Sequence, residues 1–193
     1  TLKGEQSVTI KVGENYEDAG ATANDDVDGD ITQSIEITGM IIKGTPGVYT
    51  LTFKVKDKSG NAATPVVRTV RVVDEVAPVI TLKGEQSVTI KVGENYEDAG
   101  ATANDDVDGD ITQSIEITGM IIKGTPGIYT LTFKVKDKSG NAAAPVVRTV
   151  RVVDEVAPVI TLKGEQSVTI KVGENYEDAG ATANDDVDGD ITQ

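Results

Sequence analysis

Apolar and polar residues take turns along most of this chain. From Ser87 to Val92, Val88, Ile90 and Val92 fall on one side and Ser87, Thr89 and Lys91 on the other, the period-2 signature of a half-buried strand. The longest alternation runs from Ile128 to Asp137: Tyr129, Leu131, Phe133 and Val135 point to a core, while Thr130, Thr132, Lys134 and Lys136 point to solvent. Val79 to Leu82, after Pro78, predicts a short opening strand, and Val146 to Val153 a closing one. Ala101 to Ala103, Ile115 to Ile117 and Met120 to Ile122 predict further short strands, the last two about Gly119. Breaks fall at Gly93 to Asn95, Asn104 to Gly109, Thr125 to Gly127 and Asp137 to Asn141. In the last of these, Asp137 and Asn141 are expected to bond backbone amides and close a tight turn. No segment sustains a 3.6-residue apolar period, so helix is nearly absent. About seven short strands in some 80 residues predict an all-β antiparallel sandwich.

The pattern then recurs. Residues 1–33, 81–113 and 161–193 are the same string, offset by 80, and the first two copies differ only at Val48 against Ile128 and Thr64 against Ala144. Self-similarity at a fixed period marks one copied unit. Three modules are expected at 1–75, 76–155 and 156–193. The connector, Val153 to Pro158, holds no Gly or Ser, and Pro fixes part of its backbone, so it is stiff and predicts an extended rod. The first copy lacks counterparts of Ala77 to Ile80 and is expected to be less stable than the second. The third holds only early strands and is expected to fray, or to pair with another molecule through its open edge.

Charge narrows the partners. The chain carries a net −14, and from Glu14 to Glu36 there are eight carboxylates with no Lys or Arg. Such a surface repels phosphate backbones and anionic lipid, so neither nucleic acid nor membrane insertion is expected. With no Cys and no His, thiol and imidazole chemistry are excluded, and each Ser stands apart from any plausible base. Paired acids can cleave glycosides, but here they crowd hydrophilic loops, and no Trp is present to stack a sugar. The chain is read as non-catalytic. A Lys–Asn crosslink is disfavoured because Lys91, Lys134 and Lys136 lie on the polar phase of their strands.

One cluster has ligand chemistry. Hard Ca²⁺ takes six to eight oxygens, and acids two apart with a Gly at the bend can supply them. On an EF-hand loop, Asn104, Asp106 and Asp108 fill positions one, three and five and Gly109 position six, with Asp106, Asp108 and Asp110 as core ligands. The first copy repeats the set as Asn24, Asp26, Asp28 and Asp30. The bidentate Glu of position twelve is missing, since Ile115 stands there. The same residues also suit Asx-turns in a solvated loop. The connector, with Asp154 and Glu155, is a second place for calcium.

The motifs, in order, are a Pro-x-Ile opening (Pro78, Ile80), Tyr96-x-Asp98-x-Gly100-Ala101-x-Ala103, Asp108-Gly109-Asp110-Ile111-Thr112, Pro126-Gly127-x-Tyr129-x-Leu131, Asp137-x-x-Gly140-Asn141-Ala142 and a closing Val152-x-Asp154. This series resembles the bacterial surface-protein immunoglobulin-like repeat, over essentially the whole period. The resemblance implies an extracellular module in tandem arrays on bacterial cell-wall or secreted proteins, serving as stalk, spacer or adhesive segment, or standing beside secreted enzymes. The expected role is therefore a spacer whose partners are neighbouring repeats of the same chain. The rival is an adhesin segment that holds a host or cell-surface protein or a glycan, with or without Ca²⁺.

Overall fold

The computed structural model describes residues 1–193. The chain divides into two compact units: Thr1–Ile80 with Thr102–Ile115 and Lys134–Ala144, and Thr81–Ala101 with Glu116–Phe133 and Pro145–Gln193.

In the first copy the strands are β1 (Ser7–Lys11), β2 (Asn24–Asp25), β3 (Gly29–Asp30), β4 (Glu36–Thr38), β5 (Gly47–Lys54) and β6 (Val66–Val73). Four of them form a sheet in the order β1-β6-β5-β4, and β2 pairs with β3. Pairing is antiparallel except between β1 and β6, which run parallel with Ser7 opposite Thr69 and Lys11 opposite Val73. Ile10, Val70 and Val72 make the core, with Val8, Val12, Tyr16, Ile41 and Tyr49 packed around them.

The second copy brings β7 (Val79–Leu82), β8 (Ser87–Lys91), β9 (Ala101–Asp105), β10 (Gly109–Asp110), β11 (Glu116–Thr118), β12 (Gly127–Lys134) and β13 (Val146–Val153). Its sheets are ordered β11-β12-β13-β8 and β10-β9-β7. The alternation predicted for β12 is present: Leu131 and Phe133 are buried, Ile128, Thr130 and Lys134 are exposed, and Val135 beyond the strand is buried. Tyr129 packs beside Ile90, Val150 and Val152, and its hydroxyl donates to the Thr125 carbonyl at 2.8 Å. Two local features depart from expectation. Met120 to Ile122 forms no strand, and a 3-10 turn occupies Thr112–Ser114. Met120 is exposed, so its apolar character follows no sheet face.

A buried arginine ties each sheet to the segment facing it. Arg148 stands on the inward phase of β13 with Val150 and Val152, and is 1% exposed. It ion-pairs with Asp98 at 2.6 Å, donates from Nε to the Glu85 carbonyl at 2.9 Å, reaches the Lys83 carbonyl, and lies over the Phe133 ring. Asp98 also accepts from the Tyr96 hydroxyl and the Gly100 amide, both at 2.7 Å. This is the Tyr-x-Asp-x-Gly motif at work: each of its side chains or amides holds the same carboxylate. Arg68, Asp18, Tyr16 and Gly20 repeat the arrangement in the first copy.

Burial works against ionisation of Asp98, but the Tyr96 hydroxyl, the Arg148 guanidinium and the Gly100 amide outweigh it and hold the carboxyl below its ordinary value. A carboxyl depressed in the native state contributes stability that is present above its unfolded pKa, about 3.9, and is lost as pH falls through the lower native value. Unfolding midpoints measured from pH 5 down to 2 should therefore drop below about pH 4. Asp98→Asn, already less stable at neutral pH, should show a shallower drop. An unchanged slope would remove Asp98 from the acid response.

The third copy has β14 (Val159–Leu162), β15 (Ala181–Asp185) and β16 (Gly189–Asp190) in one sheet. Ser167 to Lys171, identical to β8, is no strand, and Val168 and Ile170 stand about half exposed. In the second copy this segment pairs with β13 from Ser87–Thr149 to Lys91–Val153, and no such strand follows it in the third. Amides of Val168 to Lys171 should exchange about 100-fold faster than those of Val88 to Lys91. Equal protection in a monomer would contradict the assignment.

Candidate metal centre

Three loops bring aspartates together in the first compact unit. In β9 the pleat turns Ala101, Ala103 and Asp105 inward and leaves Thr102 and Asn104 exposed. Asp105 then makes the Asx-turn: its Oδ1 accepts from the amides of Val107 and Asp108, both at 2.9 Å. Asp74 follows β6 in the first connector, where its Oδ1 accepts from the Val76 amide at 3.0 Å. Asp137 closes its turn as its neighbours predict, accepting from the Asn141 amide and from Nδ2, both at 2.7 Å. Gly140, at φ +95°, supplies the left-handed backbone that this turn needs. Asn141 Nδ2 also donates to the Asp74 carbonyl at 3.2 Å, so the turn grips the connector directly.

Carboxylate oxygens of Asp74, Asp105 and Asp137 lie within 4.8 Å of one another, on residues 8%, 3% and 8% exposed. Oδ2 of Asp74 and Oδ2 of Asp105 are buried and have no hydrogen-bond partner. None of the three carboxylates pairs with Lys or Arg; the nearby Lys138 is turned to Asp108, at 2.9 Å. At an effective dielectric of ~20, unit charges of like sign at such a separation repel by about 3.5 kcal/mol per pair. Buried charge of one sign calls for a counter-charge.

The residues singled out by spacing fall elsewhere. Asn104 is exposed and its Nδ2 donates to the Asp105 carbonyl at 3.3 Å. Asp106 is exposed, and Asp110 accepts from the Thr112 amide at 2.9 Å. Asp108 accepts from the Lys138 amide at 2.8 Å and from its ammonium, and those donors hold its carboxyl below the ordinary range. In the first copy Asn24 and Asp26 are exposed, Asp28 takes the Lys58 amide at 2.8 Å, and Asp30 takes the Thr32 amide at 2.9 Å. Neither set belongs to the three-carboxylate group. Asp105 carried a signal that EF-hand spacing hides: it continues the phase of Ala101 and Ala103. Asp137 was legible as a turn residue but not as a neighbour of Asp105. For the connector, Glu155 pairs with Lys91 and Glu75 with Lys11, each at 2.9 Å. Asp74, the counterpart of Asp154, is the connector residue that joins the cluster.

The cluster can be completed only across a repeat boundary. The first copy supplies Asp25 and Asp57, both half-buried, on a face that is an open cleft lined by Ala23, Phe53, Val55 and Ala63. The third supplies Asp185, with the preceding connector's Asp154. Such a set of carboxylates can hold a hard cation; it offers no nitrogen or sulfur donor.

Comparison with known proteins gives a family. No curated protein matches the chain. Among solved structures, a lipoprotein from Bacteroides thetaiotaomicron is similar at 30% identity over 42% of this chain and 39% of its own, with a TM-score of 0.38. CBM51-2 in complex with GlcNAc and INT domains from Clostridium perfringens ZmpB is similar at 30% identity over 50% of this chain and 21% of its own, with a TM-score of 0.34. The chain thus spans well under half the length of either. The family described as bacterial surface protein, Ig-like domain, matches residues 1–72, 80–152 and 160–193. With nearly every strand and motif inside those three matches, the chain belongs to the bacterial surface protein Ig-like domain family.

Proposed function

We propose that this chain is a non-catalytic structural spacer: tandem Ig-like modules that extend a bacterial surface or secreted protein away from its anchor. The observation that carries the reading is repetition with so few changes. Val48 against Ile128 and Thr64 against Ala144 are the only differences across an 80-residue period. A catalyst gains little from being tiled, whereas length adds with every copy. The connector supports the same reading, because it is held at several points. Lys11 pairs with Glu75, Asp74 caps the Val76 amide, and Asn141 donates to the Asp74 carbonyl. The absence of His and Cys leaves few groups for chemistry. No helix is long and apolar enough to cross a membrane.

The test is small-angle scattering on chains of increasing repeat number. Each added repeat should lengthen the largest dimension by ~30 Å or more, the span of a nine- or ten-residue strand at ~3.3 Å per residue. A radius of gyration that grows only as a compact globule does would overturn the spacer reading.

A further inference from the structure

We propose that Asp74, Asp105 and Asp137 form a Ca²⁺ site that ties the connector leaving one repeat to two loops of the next. It rests on those carboxylates alone and holds whether or not the repeats serve as spacers. Two separate observations point to a ligand. The three carboxylates lie within 4.8 Å of one another, and Oδ2 of both Asp74 and Asp105 is buried without a partner. The remaining oxygen on each is already used to cap a turn, so the side chains are held in place before any ion arrives.

The chemistry selects the metal. An all-oxygen, triply charged donor set suits a hard divalent cation. Two ligands of one ion can be no further apart than twice the metal–oxygen bond, which is about 4.6–5.2 Å for Ca²⁺ and about 4.0–4.2 Å for Mg²⁺. Carboxylate oxygens held within 4.8 Å of one another fall inside the range that Ca²⁺ spans, and solvent can complete its larger, more flexible shell. Mg²⁺ is held to a tighter limit and keeps its waters more strongly.

The site belongs to the boundary between repeats, not to a single module. Asp74 comes from the end of the first copy, and Asp105 and Asp137 come from the second. Within residues 1–193 the one group of three acidic side chains close enough to share an ion is Asp74, Asp105 and Asp137.

Calorimetric titration of the 193-residue chain with CaCl₂, after exhaustive chelation, should give one tight site per chain, with Mg²⁺ weaker by about tenfold or more. At a hundredfold excess over Kd, Ca²⁺ should raise the unfolding midpoint by roughly 10 °C. Asp105→Asn and Asp74→Asn should weaken binding by about 100-fold, since each removes one charged ligand while keeping an oxygen to cap the turn. Asp106→Asn and Asp110→Asn should change it by less than about twofold. A second measurement separates the site from a merely structural role. Without metal, Asp105→Asn should match or exceed the parent in thermal midpoint, because it relieves repulsion; with Ca²⁺ it should fall below the parent. Loss of stability in both conditions, absence of binding heat, or loss of binding through Asp106 in place of Asp105 would each overturn the site.

Discussion

Arg148→Ala should destabilise the second repeat by about 3–5 kcal/mol, the usual cost of removing one partner from a buried ion pair. Three losses combine. Asp98, itself mostly buried, keeps its charge and loses its cation at 2.6 Å. The Lys83 and Glu85 carbonyls lose a donor, and the Phe133 ring, fully buried, loses the guanidinium 5.7 Å from its centroid. A space the size of the side chain opens between β13 and the facing segment. Because a tandem chain need not unfold in one step, hydrogen exchange is the better readout. Val150 and Val152 amides, which report opening of the second repeat's core, should exchange faster by roughly 10²–10³·⁵-fold, at 1.4 kcal/mol per tenfold. Arg148→Lys should fall between, since an ammonium keeps the charge but cannot reach three acceptors as a planar fork does. Replacing the pair together, as Arg148→Met with Asp98→Leu, should recover part of the loss. If Arg148→Ala leaves exchange within threefold of the parent, the buried pair is not what holds the layers together.

How far such features could be read from sequence depends on whether their cause is local. The strands β8, β12 and β13 were visible because period-2 alternation is set by each residue's immediate neighbours. The turn at Asp137 to Asn141 was visible for the same reason. Arg148 was not: a charged residue on the inward phase looks like a break in the pattern, and only the arrival of Asp98, 50 residues earlier in sequence, makes burial tolerable. Met120 to Ile122 misled in the opposite way. Three apolar residues suggest a strand, yet no partner strand offers them a ladder, so they stay irregular. The plainest case is the shared 33-residue string. Ser87 to Lys91 is a strand and Ser167 to Lys171 is not, with no difference in sequence between them. Pairing with β13 decides the outcome, and that strand lies some 60 residues away. The three aspartates belong with this class of non-local feature. Each has an ordinary local role as a turn residue, and only the crossing of connector and loops makes them neighbours.

Gly119→Ala should be nearly as damaging as loss of Arg148, at about 3 kcal/mol or more, through backbone geometry alone. Gly119 follows β11 at φ +116°, a conformation that residues with a Cβ rarely adopt. A methyl built there would stand 2.1 Å from the Thr130 carbonyl oxygen and 3.3 Å from the Leu131 Cα. Both obstacles are main chain in β12, so no side-chain rotation relieves them. Either β11 leaves the sheet edge or β12 shifts and disturbs Leu131 and Phe133 behind it. The first copy has the same contact between Gly39 and Thr50, at 2.1 Å, so Gly39→Ala should reproduce the effect there. Gly124→Ala is the matched control: nothing lies within 4 Å of its added carbon and its φ is not positive, so the change should stay within about 0.5 kcal/mol and can be favourable through the unfolded chain. Thermal midpoints would compare the three variants, with exchange of the Thr130 and Thr132 amides reporting on the second copy and of Thr50 and Thr52 on the first. Equal behaviour of Gly119→Ala and Gly124→Ala would mean that β11 does not lie against β12 as described, and the edge of the four-stranded sheet would have to be redrawn.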